Sequence, residues 1–191
     1  MEEKLLQFGN RKLPTTIGIF NLPSDETCPG STAYCRQVCY ARKAAKMYKN
    51  VNPYRARMYE ISKKEDFVSI MTLFITKSKR KIIRMHESGD YYSQDYLNKW
   101  INIAENLPEV IFYAYTKSYM FDFSKRPGNF VVRLSIDKTS TQEALDKTKL
   151  FDGIAETIDK DATSTMFVCP GSCKTCNYCL APGLDVAFHL H

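Results

Sequence analysis

Seven cysteines carry the clearest chemistry in this 191-residue chain, and they fall into two groups near its ends. Cys169, Cys173, Cys176 and Cys179 place four thiols within eleven residues. Their two-residue gaps let the backbone wrap round one compact centre, as in the cysteine runs of ferredoxins. Zinc sites more often join two CxxC pairs across a longer insert, and this run has no such insert. The upstream group, Cys28, Cys35 and Cys39, supplies three thiols in twelve residues. Cys28 and Cys169 are each followed by Pro-Gly, so the two loops share one turn. The spacing therefore favours iron–sulfur over zinc, and zinc over free or disulfide-forming thiols.

Two main ligation schemes are open. In one, the C-terminal four hold a complete 4Fe–4S cluster and the N-terminal three hold a second with one iron not bound by cysteine. In the other, Cys169 joins the N-terminal trio and the open position moves to Cys173, Cys176 and Cys179, a cross-ligation with precedent in two-cluster ferredoxins. A single shared cluster with spare thiols is the third arrangement. Both two-cluster schemes leave one iron for water, a substrate or a residue such as His86, His189 or Asp90.

The elements that must position these thiols follow from periodicity. The composition, 44% hydrophobic and 25% charged, is that of one globular domain large enough to need no disulfide support. No apolar run is long enough to span a bilayer, and the opening MEEKLLQFGNRKLP lacks the pattern of a signal peptide. These features place the chain in the cytoplasm, where thiols stay reduced and grouped cysteines point to metal. The formal charge of +6 favours anionic partners.

Residues 33–49 read as a helix, and a second is capped by Asn52 with Pro53 in its first position. Phe67, Ile70, Met71, Phe74 and Ile75 recur at helical spacing. KIIRMHES reads as a strand. A helix follows from Ser93, with Leu97, Trp100, Ile101, Ala104 and Leu107 inward. VIFYAYTKS and NFVVRLSID are further strands, Ser140 and Glu143 form a capping box, and GIAETI and TMFVC are the final strands. Strand–helix alternation gives an α/β fold, either an incomplete β/α barrel or an open, mostly parallel sheet, with cysteine-rich loops at both ends. The loop over 117–129 breaks the rhythm.

In parallel α/β folds, ligands gather at the carboxyl ends of the strands. Those ends hold Arg84, His86, Glu87, Ser88, Gly89 and Asp90, then Tyr115, Thr116, Lys117 and Ser118, then Arg133, Ser135 and Asp137. His86 is placed to transfer a proton, Asp90 to accept a hydrogen bond, and Lys117 or Arg133 to hold an anion. Arg84, Ser88, Gly89, Tyr115 and Arg133 are candidates for binding a cofactor. The plainer alternative makes Ser88, Gly89 and Asp90 a turn that caps the next helix, and Arg133 and Asp137 an ion pair.

Arg36, Arg42, Lys43, Lys46, Lys49, Arg55 and Arg57 interleave with Tyr40, Tyr48, Tyr54 and Tyr59, as a surface for single-stranded nucleic acid requires. The competing and favoured expectation is a solvated helix face with its tyrosines packed inward. P-loop, GxGxxG, GxSxG and HExxH motifs are missing, which removes several enzyme classes.

The run LPSDETCPGSTAYCRQVCYARK, followed by RMHESGDYYSQDYLNKWINIA and FYAYTKS, resembles the gene product 88 family of phage proteins. The resemblance extends from about Asn21 to the C-terminal cysteines. It implies a phage or prophage origin and a cysteine-bearing protein acting inside the host cell. More distantly, cysteines ahead of a β/α succession look like radical S-adenosylmethionine enzymes, whose three cysteines leave one iron for the methionine moiety. Cys35 and Cys39 match one gap of their CxxxCxxC signature, but position 42 is Arg rather than Cys. Three functions stand open: redox or radical-type chemistry at an open iron with S-adenosylmethionine, nucleic-acid binding with a structural metal, and docking on a host protein.

Overall fold

Alternation with a period of two, as in IFYAYT and FVVRLSI, sends successive side chains to opposite faces of a sheet. The computed structural model describes residues 4–190. The chain begins with β1 (Gln7–Phe8) and β2 (Ile17–Phe20), then α1 (Ala33–Val38), α2 (Tyr40–Met47), α3 (Val51–Lys63) and α4 (Phe67–Ser78). It continues through β3 (Ile82–Met85), α5 (Gln94–Asn106), β4 (Ile111–Thr116), β5 (Phe130–Ile136) and α6 (Gln142–Asp146). The last strands are β6 (Ile154–Ile158), β7 (Phe167–Val168) and β8 (Val186–His189).

All eight strands form one open sheet in the order β1-β2-β3-β4-β5-β6-β8-β7. β1 is antiparallel to β2, and every other pair is parallel. From β2 to β6 spatial order follows chain order, as in a barrel, but the sheet does not close. Of the two architectures expected, the open sheet is the one formed.

One face is apolar and covered by helices. Phe20, Ile83, Met85, Phe112, Ala114, Phe130 and Val132 pack there against Met71 and Ile75 of α4 and Leu97, Trp100 and Ala104 of α5. Trp100 meets Phe20 edge-on at 5.2 Å and Phe67 at 5.7 Å. Ser93 caps α5 by accepting from Tyr96 N, and Asn129 closes its far end by donating to the carbonyls of Ala104, Leu107 and Val110. The opposite face gathers Leu13, Ile17, Ile19, Tyr113 and Val131, with Cys173, Cys179 and Leu180 of the C-terminal loop laid over them. A parallel sheet needs cover on both faces; here a cysteine-rich loop covers the second.

Several boundaries differ from expectation. The single helix over 33–49 is two, because Cys39 leaves helical geometry at ψ 107° and re-aims the chain. α3 starts at Val51 after Asn50, so Pro53 is its third residue. Thr141 rather than Ser140 caps α6, accepting from Ala144 N at 3.3 Å. TMFVC is not the last strand of the chain: β8 follows it and inserts between β6 and β7, which leaves β7 at the edge of the sheet.

Candidate functional site

Three contacts draw the segment after β2 across the carboxyl ends of the parallel strands. At the end of β4, Gly30 lies so close to the backbone that an added Cβ would meet Lys117 O at 1.8 Å. Only glycine permits that approach, so the Cys-Pro-Gly turn is fitted to this strand end. At the end of β5, Thr32 donates to Asp137 Oδ2 at 2.8 Å while accepting from Cys35 N, which starts α1. At the end of β3, the Tyr40 hydroxyl donates to the Glu87 carbonyl. These anchors lay the segment that carries Cys28, Cys35 and Cys39 over the strand ends, and charge on Cys35 or Cys39 disfavours ionisation of Cys28.

Asp90 is buried in the loop after β3 and ties it to the end of β4. Its Oδ1 accepts from Tyr91 N at 2.7 Å and Thr116 Oγ1 at 2.6 Å, and its Oδ2 accepts from Lys117 N at 2.8 Å. Burial raises its pKa to about 6, with those hydrogen bonds pulling the other way. Burial first, and then the Asp90 carboxylate, push the Cys28 thiol up. Cys35 is also raised by burial, with the Lys117 charge opposing. Lys117 itself forms a buried ion pair with Asp137 at 2.8 Å and donates to Ser135 O at 3.1 Å. Burial disfavours the Asp137 carboxylate, yet hydrogen bonds from Lys117 and Thr139 prevail and hold its pKa at about 2. The Arg133–Asp137 ion pair weighed from sequence is thus replaced by Lys117–Asp137. A cleft of about 360 Å³ opens beside the trio, lined by Gly30, Thr32, Lys117, Tyr119, Ser135 and Thr141.

Cys173 and Cys179 of the C-terminal group lie over the second face of the sheet. Arg133, fully buried on β5, donates to the carbonyls of Leu184, Cys179 and Ala181 at 2.7, 2.7 and 2.6 Å. Its guanidinium is a clamp on the cysteine loop rather than a free anion holder. Cys169 N donates to Ala187 O at 2.8 Å, Cys173 N to Lys12 O at 2.9 Å, and Gly171 N to the Cys169 sulfur at 3.4 Å. The Arg84 guanidinium lies over the Tyr115 ring at 4.1 Å and the Tyr113 ring at 5.2 Å, and its Nε is buried without an acceptor in the chain. Tyr115 hydrogen-bonds the Cys179 thiol. Burial raises Cys173 and Cys179, and Arg84 opposes the rise at both.

The remaining sequence-selected residues are scaffold. His86 takes a left-handed φ of 62° and turns into the helix-covered core, where Nε2 bonds the Tyr96 hydroxyl at 2.8 Å and Nδ1 is buried without a partner. Burial, helped by Arg84, lowers its pKa to about 3, so it is neutral and set among Tyr91 and Tyr96. Ser88 donates to Leu22 O at 2.7 Å. Gly89, at φ 81°, would bring a Cβ within 2.5 Å of Leu22. Asn21, not selected from sequence, accepts from Glu87 N and Ser88 N at 2.9 and 3.0 Å and fixes this turn. His189, at the end of β8, meets the Asp159 carbonyl at 3.2 Å.

Seven half-buried thiols in two gatherings are a donor set suited to soft metal centres. Among the described residues, no three His, Cys, Asp or Glu side chains converge as a ready-made holder for one metal ion. None of the described helices is long and apolar enough to cross a membrane.

Comparison with known proteins places these features in a lineage. The chain is 32% identical over 141 residues to the gene 88 protein of Mycobacterium phage L5, covering 64% of this chain and 59% of that one. It is 33% identical over 118 residues to the gene 88 protein of Mycobacterium phage D29, covering 53% and 49%. The matches thus span about half the length of these relatives. No solved structure matches the chain. The family model described as gene product 88 matches residues 4–165, a span that holds the N-terminal thiol trio, Asp90 and Lys117 and stops before Cys169. On that match the chain belongs to the gene product 88 family.

Proposed function

We propose that this is an iron–sulfur protein with two separate centres: Cys169, Cys173, Cys176 and Cys179 hold one 4Fe–4S cluster, and Cys28, Cys35 and Cys39 hold a second with one open position. The carrying observation is the segregation of the thiols. Cys173 and Cys179 lie with Leu180 over the Tyr113–Val131 face of the sheet, whereas the segment of Cys28, Cys35 and Cys39 is anchored on the strand ends through Gly30, Thr32 and Tyr40. That pattern favours the three-plus-four scheme over the one that moves Cys169 to the trio.

The chemistry of the donors supports metal over bare thiols. Burial favours the protonated form of Cys28, Cys35, Cys173 and Cys179, so these sulfurs become thiolates only if a cationic centre binds them. Arg84 Nε, a buried donor lacking an acceptor, and the Gly171 N–H on the Cys169 sulfur both suit an anionic sulfur centre. An iron–sulfur cluster supplies electron transfer, and an iron without a cysteine ligand supplies a place for substrate to bind. Near the trio's segment, Lys117 and Asp137 fix the strand ends, Asp90 is a carboxylate that takes up a proton only below about pH 6, and the cleft admits a small polar molecule. S-adenosylmethionine is the first ligand to try there, on the sequence likeness alone.

Oxygen-free purification should yield brown protein with iron and sulfide. Its electron paramagnetic resonance spectrum should change on adding S-adenosylmethionine if that molecule is the ligand. Colourless protein carrying stoichiometric zinc would replace iron–sulfur with a structural metal.

A further inference from the structure

The net positive charge of this protein comes from one stretch. Residues 29–59 contain seven Lys and Arg and no Asp or Glu, which leaves 20 basic against 21 acidic residues elsewhere. The formal charge of +6 is therefore the charge of the α1–α3 segment, the same segment that carries Cys35 and Cys39. Arg36, Arg42, Lys43, Lys46, Lys49 and Arg57 are exposed, and Arg55 is buried, donating to Ala41 O at 2.9 Å to join α3 to α2. Asp25 reaches Arg42 at 3.5 Å from the preceding loop.

Met58, Tyr54 and Tyr59 of this segment pack against the core, but the apolar groups of α2 and the turn after it do not. Tyr40 is 56% exposed, Tyr48 59% and Met47 71%, and Ala41 is the buried residue of α2. Tyr40 is held as well as exposed, because its hydroxyl is fixed on the Glu87 carbonyl while the ring stays open to solvent. A ring immobilised in this way has already lost the rotamer freedom that stacking would otherwise remove. Cations to follow a phosphate backbone and open rings for bases to stack on form the chemistry of single-strand recognition.

We infer that the exposed face of α1, α2 and the start of α3 binds single-stranded nucleic acid, with Tyr40 and Tyr48 as stacking platforms and Lys43, Lys46 and Lys49 contacting phosphates. Charge complementarity and the two open rings single out this partner. A duplex or an anionic membrane would use the charge and leave the rings idle. The inference stands whether or not the thiols hold iron.

The test is fluorescence anisotropy of labelled dT20 and U20 with the whole protein, iron content measured on each preparation, across a series of salt concentrations. Wild type should bind both or one of the oligonucleotides, with affinity falling as salt rises. Lys43→Gln, Lys46→Gln and Lys49→Gln together should flatten the log–log salt dependence by about two units, as loss of three phosphate contacts requires. Tyr40→Leu or Tyr48→Leu should each weaken binding about tenfold, the scale of one lost stacking contact, while Tyr48→Phe should keep it. The lysine and Tyr48 variants should retain wild-type iron content and melting temperature, since those side chains are exposed; Tyr40→Leu also loses the anchor on the Glu87 carbonyl, so its binding is compared with that of Tyr40→Phe, which loses the same anchor and keeps the ring. The inference is overturned if wild type ignores both oligonucleotides, or if heparin or vesicles rich in phosphatidylserine bind as tightly with no dependence on the tyrosines.

Discussion

The two faces of the sheet are built on different principles, although they share every strand. On one, Phe20, Ile83, Phe112 and Phe130 interlock with α4 and with Trp100 and its neighbours on α5, and aromatic rings meet edge to face at 5–6 Å. Burial of that apolar surface sustains the fold without help from any bound group. On the other, Arg84, Tyr113, Tyr115 and Arg133 stand among the side chains of β3, β4 and β5 under a loop with little regular structure. That loop is held by a clamp of hydrogen bonds and, on the reading above, by its four thiolates. The contrast teaches that metal loss should be a local event: the loop face should loosen while the helix face stays packed.

The clamp is where the comparison breaks most easily. Arg133→Met removes three charge-assisted hydrogen bonds and leaves three loop carbonyls unpaired, so denaturant unfolding should show a loss of roughly 3–5 kcal/mol. The C-terminal centre should go with it, while the near-ultraviolet signal of Trp100 survives under native conditions. Loss of the tryptophan signal at the same time would mean that the two faces are one cooperative unit.

The helix face can be probed through His86, whose ordinary pKa of 6.5 falls to about 3 on folding. The unfolded chain takes up that proton first, so stability present above pH 6.5 is lost as pH falls toward 3. The slope is about 1.4 kcal/mol per pH unit where only the unfolded form is protonated. Asp90, raised to about 6, acts in the opposite sense, because the folded chain binds its proton first and gains stability as pH falls from 6 toward 4. The two oppose each other in wild type. The difference between wild type and His86→Phe should isolate the histidine slope, and a flat difference between pH 6 and 4 would contradict it.

A smaller effect is expected at the trio. Gly30→Ala sets a methyl group against Lys117 O, and the turn must shift, at a cost of roughly 1–3 kcal/mol. Iron bound by Cys28, Cys35 and Cys39 should fall while the C-terminal centre keeps its full content. Equal loss at both centres would show them to be one.

Much of this arrangement was legible from residue pattern. α4 and α5 carry a clear period of 3.6, β3 to β6 stand out as β-branched and aromatic runs between helices, and Ser93 announces its helix; the strand-end rule then points to Asp90 and Lys117. What escaped had no local signal. β2 is four residues, Ile17–Phe20, too short for periodicity to register, and β8 is equally short. Arg133 looked like an anion holder because its true acceptors are backbone carbonyls 46 to 51 residues away. His86 looked catalytic at a strand end, yet a left-handed φ turns it into the core. The tyrosines of the basic segment were expected to pack inward; Tyr40 and Tyr48 do not. The absence of acidic residues from 29 to 59 was a readable sign of that surface.

The most direct test of the central claim is metal stoichiometry in three proteins purified without oxygen: wild type, Cys35→Ser and Cys176→Ser. Two independent centres predict about eight irons and eight sulfides in wild type, from two four-iron clusters. Each variant should lose about half, and the two should differ in their paramagnetic spectra. A variant that loses everything, or a wild type holding only zinc, would contradict the account.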